Sequence, residues 1–397
     1  MISFVIPTRD RPEQLAQTLA ALGRLGPLAA LGGAEVLIVD NASVTPVLTE
    51  ATLNSGVPIR VIRREINQGA AARNTAAWQA DPASRWLVML DDDSQPIDDG
   101  FVAALSEAPC DVGAVAAEIL LPTLPGEEGQ PPRHEAGGLP EVFIGCGVAI
   151  RRDAFLKLGG YDPAFDYYAE EYDLSAKLLL AGYRVVFDRR FRVLHSKAAN
   201  HRRFSLIIRR LVRNNGWVAQ RYAPDEMRTA ELHEVVSRYA SIAFREKVLG
   251  GYCLGLGELV CSLGRQVRCP MPGPFFDRFT GLEHARRGLL AAHQIAPLGR
   301  VAVVDPGKNA WAVARAVAEM GLHLAADPRD AETLVIGTLS PGPLLDALIR
   351  RAPQSGRPRA RLVSPWIGAT MDYPVYPLST IMPRPVAGLS TSFHQAA

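Results

Sequence analysis

Three consecutive carboxylates, Asp91-Asp92-Asp93, end the short apolar run Leu87-Val-Met-Leu90. A run of that length reads as a fully buried strand that delivers its terminal charges to solvent. Adjacent carboxylates repel one another, and a shared cation relieves the repulsion. Hard divalent cations such as Mg2+ take oxygen ligands, commonly one or two carboxylates plus the phosphates of a substrate. Taken alone, the three are as well read as an acidic loop. A second cluster, Glu170-Glu-Tyr-Asp173, opens the helical pattern Leu174 to Ala181. Acidic groups in a first turn ordinarily serve the helix dipole. Beside a pocket, one of them can instead take a proton from a hydroxyl nucleophile. His195 follows a strand-like run, where a metal-ligand role joins the usual structural one.

The elements that must position these groups alternate. Ser3–Pro7, Glu35–Val39, Ile59–Ile62 and Trp86–Leu90 read as strands, with helices over Pro12–Leu22 and Ala70–Ala80 between them. Alternation of this kind predicts an open, mostly parallel sheet covered by helices on both faces. Ligands of such sheets lie beyond the carboxyl ends of the strands. Thr8-Arg9-Asp10, Asp40-Asn41-Ala-Ser43, Asn67-Gln-Gly69 and Asp91–Asp93 all fall there, so four loops are expected to converge. Asp40 could accept from a uracil or thymine imide or a guanine amino group, or simply close a turn. Gly69 precedes a helix with Arg73 in its first turn, where an anion is favoured and a guanidinium fork suits phosphate; a solvated helix charge is the plainer reading of Arg73.

Further on, 101–107 reads as a helix and 112–120 as a strand, and a Pro/Gly-rich loop, 122–140, carries His134 and Glu135 as a lid or acceptor-facing segment. Phe143 to Arg152 reads as a strand whose Gly145 and Gly147 admit a ligand or another backbone. Short strands are expected at 185–187 and 192–194.

With those residues in order, the first 220 or so positions resemble the family-2 glycosyltransferases, inverting enzymes of the GT-A fold that use nucleotide-sugar donors. The resemblance rests on Val5-Ile-Pro-Thr8, Val39-Asp-Asn-Ala-Ser43, Asn67-x-Gly69 with Ala72-Arg-Asn74, and Leu90-Asp-Asp-Asp93. It continues through Gly145-Cys-Gly147 ahead of Arg151-Arg152, Gly159-Gly-Tyr-Asp162, Glu170-Glu-x-Asp-Leu174 with Ala181-Gly-Tyr183, and His195. It implies that Thr8 and Asp40 hold the base and ribose, that Pro7, Arg9, Asn41, Asn67, Gly69 and Asp92 border the nucleotide with them, that Arg73 meets the diphosphate, and that Asp91 lies near the ribose. It further implies Mn2+ or Mg2+ on Asp93, with Asp91 and His195 as fellow ligands, and Gly145, Cys146 and Gly147 on the sugar or acceptor side. Glu171 stands where the family carries its catalytic aspartate; the extra methylene leaves Glu170 and Asp173 as alternates, since misplacement by an ångström costs about 10²-fold in rate.

Composition sets outer limits. The chain has 397 residues and formal charge +2, which selects no nucleic-acid partner. Five scattered cysteines without metal-ligand pairing fit a reducing cytosol as small apolar residues. The amino terminus lacks the pattern of a signal peptide, and the apolar stretch 248–263 is broken by glycines and Glu258 and falls short of the roughly 18 residues a span needs. A cytoplasmic protein is expected, with peripheral contact to the inner face of the membrane through the basic amphipathic stretch 201–213. A packed helix with a solvated basic face is the plainer reading of that stretch.

Three regions are expected: a transferase domain over 1–220, a helical segment over 221–297 serving as a brace or oligomer surface, and a small Rossmann-like α/β module with an extended tail over 298–397. In the last, strands are expected at 301–304, 322–324, 333–336 and 361–363, and Asp305-Pro-Gly-Lys-Asn309 lacks a dinucleotide fingerprint, so scaffolding is its simplest role. The expected function is metal-dependent inverting transfer of a sugar to a glycan or lipid-linked hydroxyl acceptor. A sugar-phosphate nucleotidyltransferase is the rival, against which the first loop lacks a glycine-rich basic sequence. A catalytically silent nucleotide-sugar-binding or assembly protein is the other.

Overall fold

The computed structural model describes residues 1–26, 28–124, 126, 129–197, 204–351 and 360–367. Part of the basic stretch (201–203) and the tail from 368 lie outside the described residues.

The first strand, β1 (Ile2–Thr8), is buried along almost its whole length, and Pro12 opens α1 (Pro12–Leu22), which packs Leu15, Thr18 and Leu22 inward. β2 (Ala34–Asn41) is buried throughout, whereas β3 (Ile59–Arg64) is a half-exposed edge. Its Arg60, Arg63 and Arg64 place charge along that edge, a feature that discourages pairing with another chain. α2 (Ala72–Gln79) leads to β4 (Trp86–Leu90), and then come β5 (Ser94–Pro96), α3 (Gly100–Ser106), β6 (Val112–Leu120), β7 (Gly147–Arg151) and α4 (Arg152–Lys157). α5 (Glu170–Leu180) and β8 (Arg184–His195) complete an eight-stranded sheet of order β3-β2-β1-β4-β7-β6-β8-β5.

β1 to β4 run parallel, as the alternation predicts, but β7 lies antiparallel between β4 and β6, and β5 antiparallel to β8. The sheet is therefore mixed, in keeping with the GT-A expectation. The strand expected at 143–152 starts only at Gly147, because the Leu139 to Val142 bridge turns the chain just before it. Conversely, 185–187 and 192–194 form one strand, with the register against β6 shifting between Ala117 and Glu118. An irregularity of this kind inserts polar residues without ending the ladder.

Alternation along the strands divides the core between the two faces. Phe4, Ile6, Val36, Ile38 and Val88 meet α1 and α3 on one face. Val5, Leu37, Val39, Leu87, Met89 and Ile150 face the other, where the apolar contacts run on without a break into the rest of the chain. That remainder is α6 (Phe204–Tyr222), α7 (Arg228–Arg245), α8 (Leu249–Ser262), α9 (Gly273–Thr280), α10 (Leu282–Ile295), β9 (Val301–Val304), α11 (Ala310–Glu319), β10 (Thr333–Ile336), α12 (Pro341–Arg351) and β11 (Arg361–Val363). β9, β10 and β11 form a parallel sheet of order β11-β10-β9; Leu324 bridges to Val301 without making the strand expected at 322–324. Within the helical segment expected over 221–297, α9 gives way to α10 at Gly281, in the left-handed region at φ 84°. Trp366 is fully buried beside Phe187 of β8, ring centroids 5.8 Å apart, so the core crosses the expected divisions at 220 and 297.

Four of the five cysteines are exposed and only Cys146 is buried, which corrects their reading as apolar filling. Cys253 and Cys261 lie on the outer face of α8. Among the described residues no helix is long and apolar enough to cross a membrane.

Candidate active site

The loop after β4 is a tight turn: Asp91 N donates to Ser94 Oγ at 2.8 Å, and Ser94 Oγ to Cys146 O at 2.8 Å. The turn sends its three carboxylates in different directions. Asp92 points inward, accepting from Thr8 Oγ1 at 2.8 Å and pairing with Arg11 Nη1 at 2.6 Å. Burial, reinforced by its two acidic neighbours, pushes it up to about 7 against the pull of Arg11 and Thr8. Asp93 faces Arg11 Nη2 at 2.6 Å and His195 Nε2 at 3.4 Å. Burial would raise it, but those two cations hold it well below the usual carboxylate range. Asp91 alone turns toward the opening, with 37% of its side chain exposed, and pairs with Arg73.

The expected four loops do meet. Thr8 bonds to Asp92, Asn41 Nδ2 donates to Gly69 O at 3.2 Å while its Oδ1 accepts from Gln68 N at 2.8 Å, and Arg73 reaches Leu90 O at 3.1 Å. Asn67 Oδ1 closes its own turn on Gly69 N at 3.0 Å. Gly69 has φ 57°, and a Cβ there would stand 2.3 Å from Asp166 O, so no other residue fits without displacing that neighbour. Asp40 is buried and taken up locally, accepting from the Ser43 and Val47 amides at 2.9 and 3.1 Å and from Arg63. Its geometry is that of a turn. Arg9 is exposed and meets only Asp10, at 3.6 Å; Pro7 continues β1.

Asp91, Cys146 and His195 each offer a ligand atom, all within 4.8 Å of one another. Burial raises the Cys146 thiol, so it is a neutral neighbour more than a thiolate ligand. One carboxylate and one imidazole remain, a donor set that fits a divalent cation whose other ligands come from a substrate diphosphate. Asp93 lies behind this group, committed to Arg11 and His195. His195 Nδ1 also faces Glu135 Oε2 at 3.0 Å, and Lys197 pairs with the same carboxylate at 2.6 Å. Beyond Cys146, a side chain at Gly145 would meet open space, whereas one at Gly147 would press on Ala117 and Ile119 at 3.2 Å.

The second carboxylate cluster sits on a constrained backbone. Asp166, Tyr168 and Ala169 all adopt positive φ, of 61°, 71° and 66°. Buried Asn214 of α6 holds this turn, its Nδ2 reaching the carbonyls of Phe165, Tyr167 and Tyr168 at 2.9, 2.9 and 2.6 Å. Strain of this kind persists only where surrounding contacts enforce it, and it clusters at functional sites. Asp173 is fully buried and caged by Arg221 at 2.9 Å, Tyr222 Oη at 2.7 Å and Lys177 at 2.6 Å, which removes it as an alternate base. Glu170 and Glu171 lie together; burial raises both, and for Glu170 the charge of Glu171 adds to the effect.

Arg73 Nε, Tyr161 Oη, Glu170 Oε2 and Glu171 Oε2 are all buried without a hydrogen-bond partner. They bear on one another and on Asp91 electrostatically, so they belong to one locale. Arg11 and Asn214 escape a reading of the sequence: each is one polar residue in an ordinary helix pattern, given meaning only by its distant partner. A cavity of about 740 Å³ lies elsewhere, between α3, β8, α9 and α10, lined by already paired charges such as Arg190, Asp188 and Arg278.

The sequence profile of glycosyl transferase family 2 matches residues 3–119, from β1 to the end of β6. Over those residues the chain is similar to glycosyl transferase family 2. The chain is 28% identical over 235 residues to the O-antigen biosynthesis protein RfbC of Myxococcus xanthus, a match covering 51% of this chain and 18% of RfbC. It is 28% identical over 197 residues to an uncharacterized glycosyltransferase of Haemophilus influenzae, covering 45% of this chain and 62% of that protein. The chain thus spans less than two thirds of either relative. Among solved structures, S. aureus TarS 1–349 in complex with UDP-GlcNAc is similar at 16% identity and a TM-score of 0.46, over 83% of this chain and 94% of that one.

Proposed function

We propose that this transferase is a metal-dependent inverting enzyme that moves a sugar from a nucleoside-diphosphate donor to a hydroxyl acceptor, in the synthesis of a cell-surface glycan or glycolipid. One observation carries the reading: the unpartnered buried atoms of Arg73, Tyr161, Glu170 and Glu171 beside Asp91. Buried polar groups are almost always paired, so a group of four left over is hydrogen-bonding capacity reserved for a ligand. The O-antigen role named for the RfbC relative supports the surface-glycan part.

Asp91 and His195 would hold the cation, and an imidazole beside a carboxylate suits Mn2+ better than Mg2+. When bound, such an ion supplies positive charge against the departing diphosphate. Arg73 adds a buried cation on the same side. Asn41 and Gly69 shape the nucleotide end. Glu171 accepts the acceptor hydroxyl's proton as that oxygen bonds the anomeric carbon and the bond to the diphosphate breaks on the opposite face, giving inversion. The acceptor side is the open ground beside Gly145. In α6, Arg209, Arg210 and Arg213 are taken up by Glu258 and Asp166, so contact with an anionic membrane falls to the start of the helix, where Phe204 and Leu206 are exposed. The uncharged outer face of α8, with Leu249, Leu254 and Val260 exposed, supports its use as an oligomer surface.

The test is thermal stability against UDP-, GDP-, dTDP- and CDP-sugars with and without Mn2+ or Mg2+, for wild type and Asp91→Ala. One nucleotide should raise the melting temperature in a metal-dependent way, and the mutant should lose the effect. A ligand at about 100 times its Kd adds about 2.7 kcal/mol, several degrees. A folded protein that responds to none of them would sink the donor assignment and favour the silent assembly protein.

A further inference from the structure

Lys308 lies in the turn between β9 and α11, in the unit that sequence alone reads as scaffolding. Its Nζ donates to the Tyr172 hydroxyl and stands 4.0 Å from the centroid of that ring. Tyr172 immediately follows Glu171, and its ring meets Phe279 of α9 edge-on at 6.3 Å. The turn is fixed from several sides. Asn309, itself at φ 55°, donates through Nδ2 to Thr280 O at 2.8 Å; Gly307 N bonds to Gly337 O at 3.0 Å; Leu339 N bonds to Lys308 O at 3.1 Å. A lysine from the second sheet is thereby delivered, on a rigid support, to the first turn of α5. Ordering a long, half-buried cationic side chain is costly, and scaffolding alone gives it no purpose.

We infer that Lys308 is a positioning residue of the transfer reaction, holding Tyr172 in place and Glu171 as a carboxylate, so that the carboxy-terminal unit completes the acceptor half of the active site. This rests on the reading of Glu171 as the base. The groups that face Glu171 are Glu170 on its own helix, Tyr161, Tyr172, Tyr239 of α7, Arg73 of α2 and Lys308. The last two are cations, of which Lys308 acts on Glu171 the more strongly; Arg238 of α7 adds a third positive charge to the locale, acting on Tyr172, Tyr239 and Lys308. Burial and the charge of Arg238 pull Lys308 down to about 7, while Glu171 works to keep it protonated, so each stabilises the other's charged form. Arg73 is already engaged by Asp91, so the charge that Lys308 brings to the first turn of α5 is additional to it.

The experiment uses the full chain as wild type, Lys308→Met and Lys308→Arg, with circular dichroism confirming that each is folded. Release of nucleoside diphosphate from UDP-, GDP-, dTDP- and CDP-sugars, with water as acceptor, gives kcat and KM against pH. Glu171→Met should fall out of this series as inactive. Lys308→Met should lose about 10-fold or more in kcat, move the acid limb of its pH profile up by about one unit, and keep the donor KM within about twofold; Lys308→Arg should recover most of the loss. In parallel, carbodiimide labelling of Glu171, read by mass spectrometry, should shift its pH midpoint upward in Lys308→Met. A wild-type acid limb and an unmoved labelling midpoint in that variant overturn the inference. A shifted midpoint in a chain with no turnover on any donor upholds the Lys308 contact and counts against the transferase reading instead.

Discussion

Arg11 spans two carboxylates with one guanidinium, its Nη1 on Asp92 and its Nη2 on Asp93, each at 2.6 Å. Two of the three adjacent aspartates are thus paired from within the protein, sharing the one positive charge of a residue at the entry of α1, and the third is left to face the opening. Replacing Arg11 with Met should destabilise the fold by about 2 kcal/mol. Losing one partner of a fully buried pair costs roughly 3–5 kcal/mol, and the figure is discounted because Arg11 is 31% exposed. Urea denaturation of the two proteins checks it; an unchanged midpoint would show that solvent already screens the pair.

Glu170 and Glu171 should differ sharply on conversion to Gln. Burial pushes both toward the neutral form and the two charges oppose each other, so one carboxylate is ionised at a time, and the base is assigned to Glu171. Turnover of Glu171→Gln should fall about 10²–10⁴-fold with donor affinity intact, and that of Glu170→Gln much less. The reverse order in steady-state kinetics would move the base to Glu170.

Asn214→Ala should cost about 2–3 kcal/mol, since it leaves buried carbonyls of the 165–168 turn unpaired. The loosened turn carries Glu171, so kcat should drop more than KM rises. Calorimetry and kinetics on one preparation measure both; a stability loss with normal kcat would mean the turn keeps its shape without Asn214.

His134 ties the loop before β7 to the carboxy-terminal unit, with Nδ1 2.6 Å from Asp346 and Nε2 2.9 Å from Glu118. Burial opposes its charge, but the two carboxylates outweigh that and push it up to about 9 from an ordinary 6.5. The imidazolium is favoured in the folded chain, so its stabilisation is complete below about pH 6.5 and is lost as pH rises through about 9, by at most about 3 kcal/mol. His134→Gln should flatten the stability profile across that window in denaturation series at fixed temperature. A wild-type slope in the mutant would assign the effect to another group.

The parallel half of the sheet and the convergence of its loops were legible because burial on both faces writes itself as short apolar runs ending in polar residues, as at Leu90–Asp91 and Val39–Asp40. The antiparallel insertion of β7 was not, since a strand's direction depends on the path of the chain around it and leaves no local mark. Asp91, Asp92 and Asp93 look alike in sequence; which one faces outward is decided by Thr8, Arg11 and His195, which lie about 80 to 100 positions away. Asp173 reads as a helix-start carboxylate like its neighbours until Arg221 and Tyr222 close over it.

Trp366 gives the burial beside Phe187 a bearing on how the chain is made. Residue 187 leaves the ribosome long before residue 366, and Gly288 on α10 lacks a side chain because the Pro365 carbonyl lies 2.0 Å from where its Cβ would stand. During synthesis, then, the far face of the amino-terminal sheet stays open to water while nearly 180 further residues are added. Domains fold as units when synthesis allows it, and exposed apolar faces invite aggregation meanwhile. The order of translation therefore sets how long this apolar sheet face stays exposed before the segment around Trp366 can cover it.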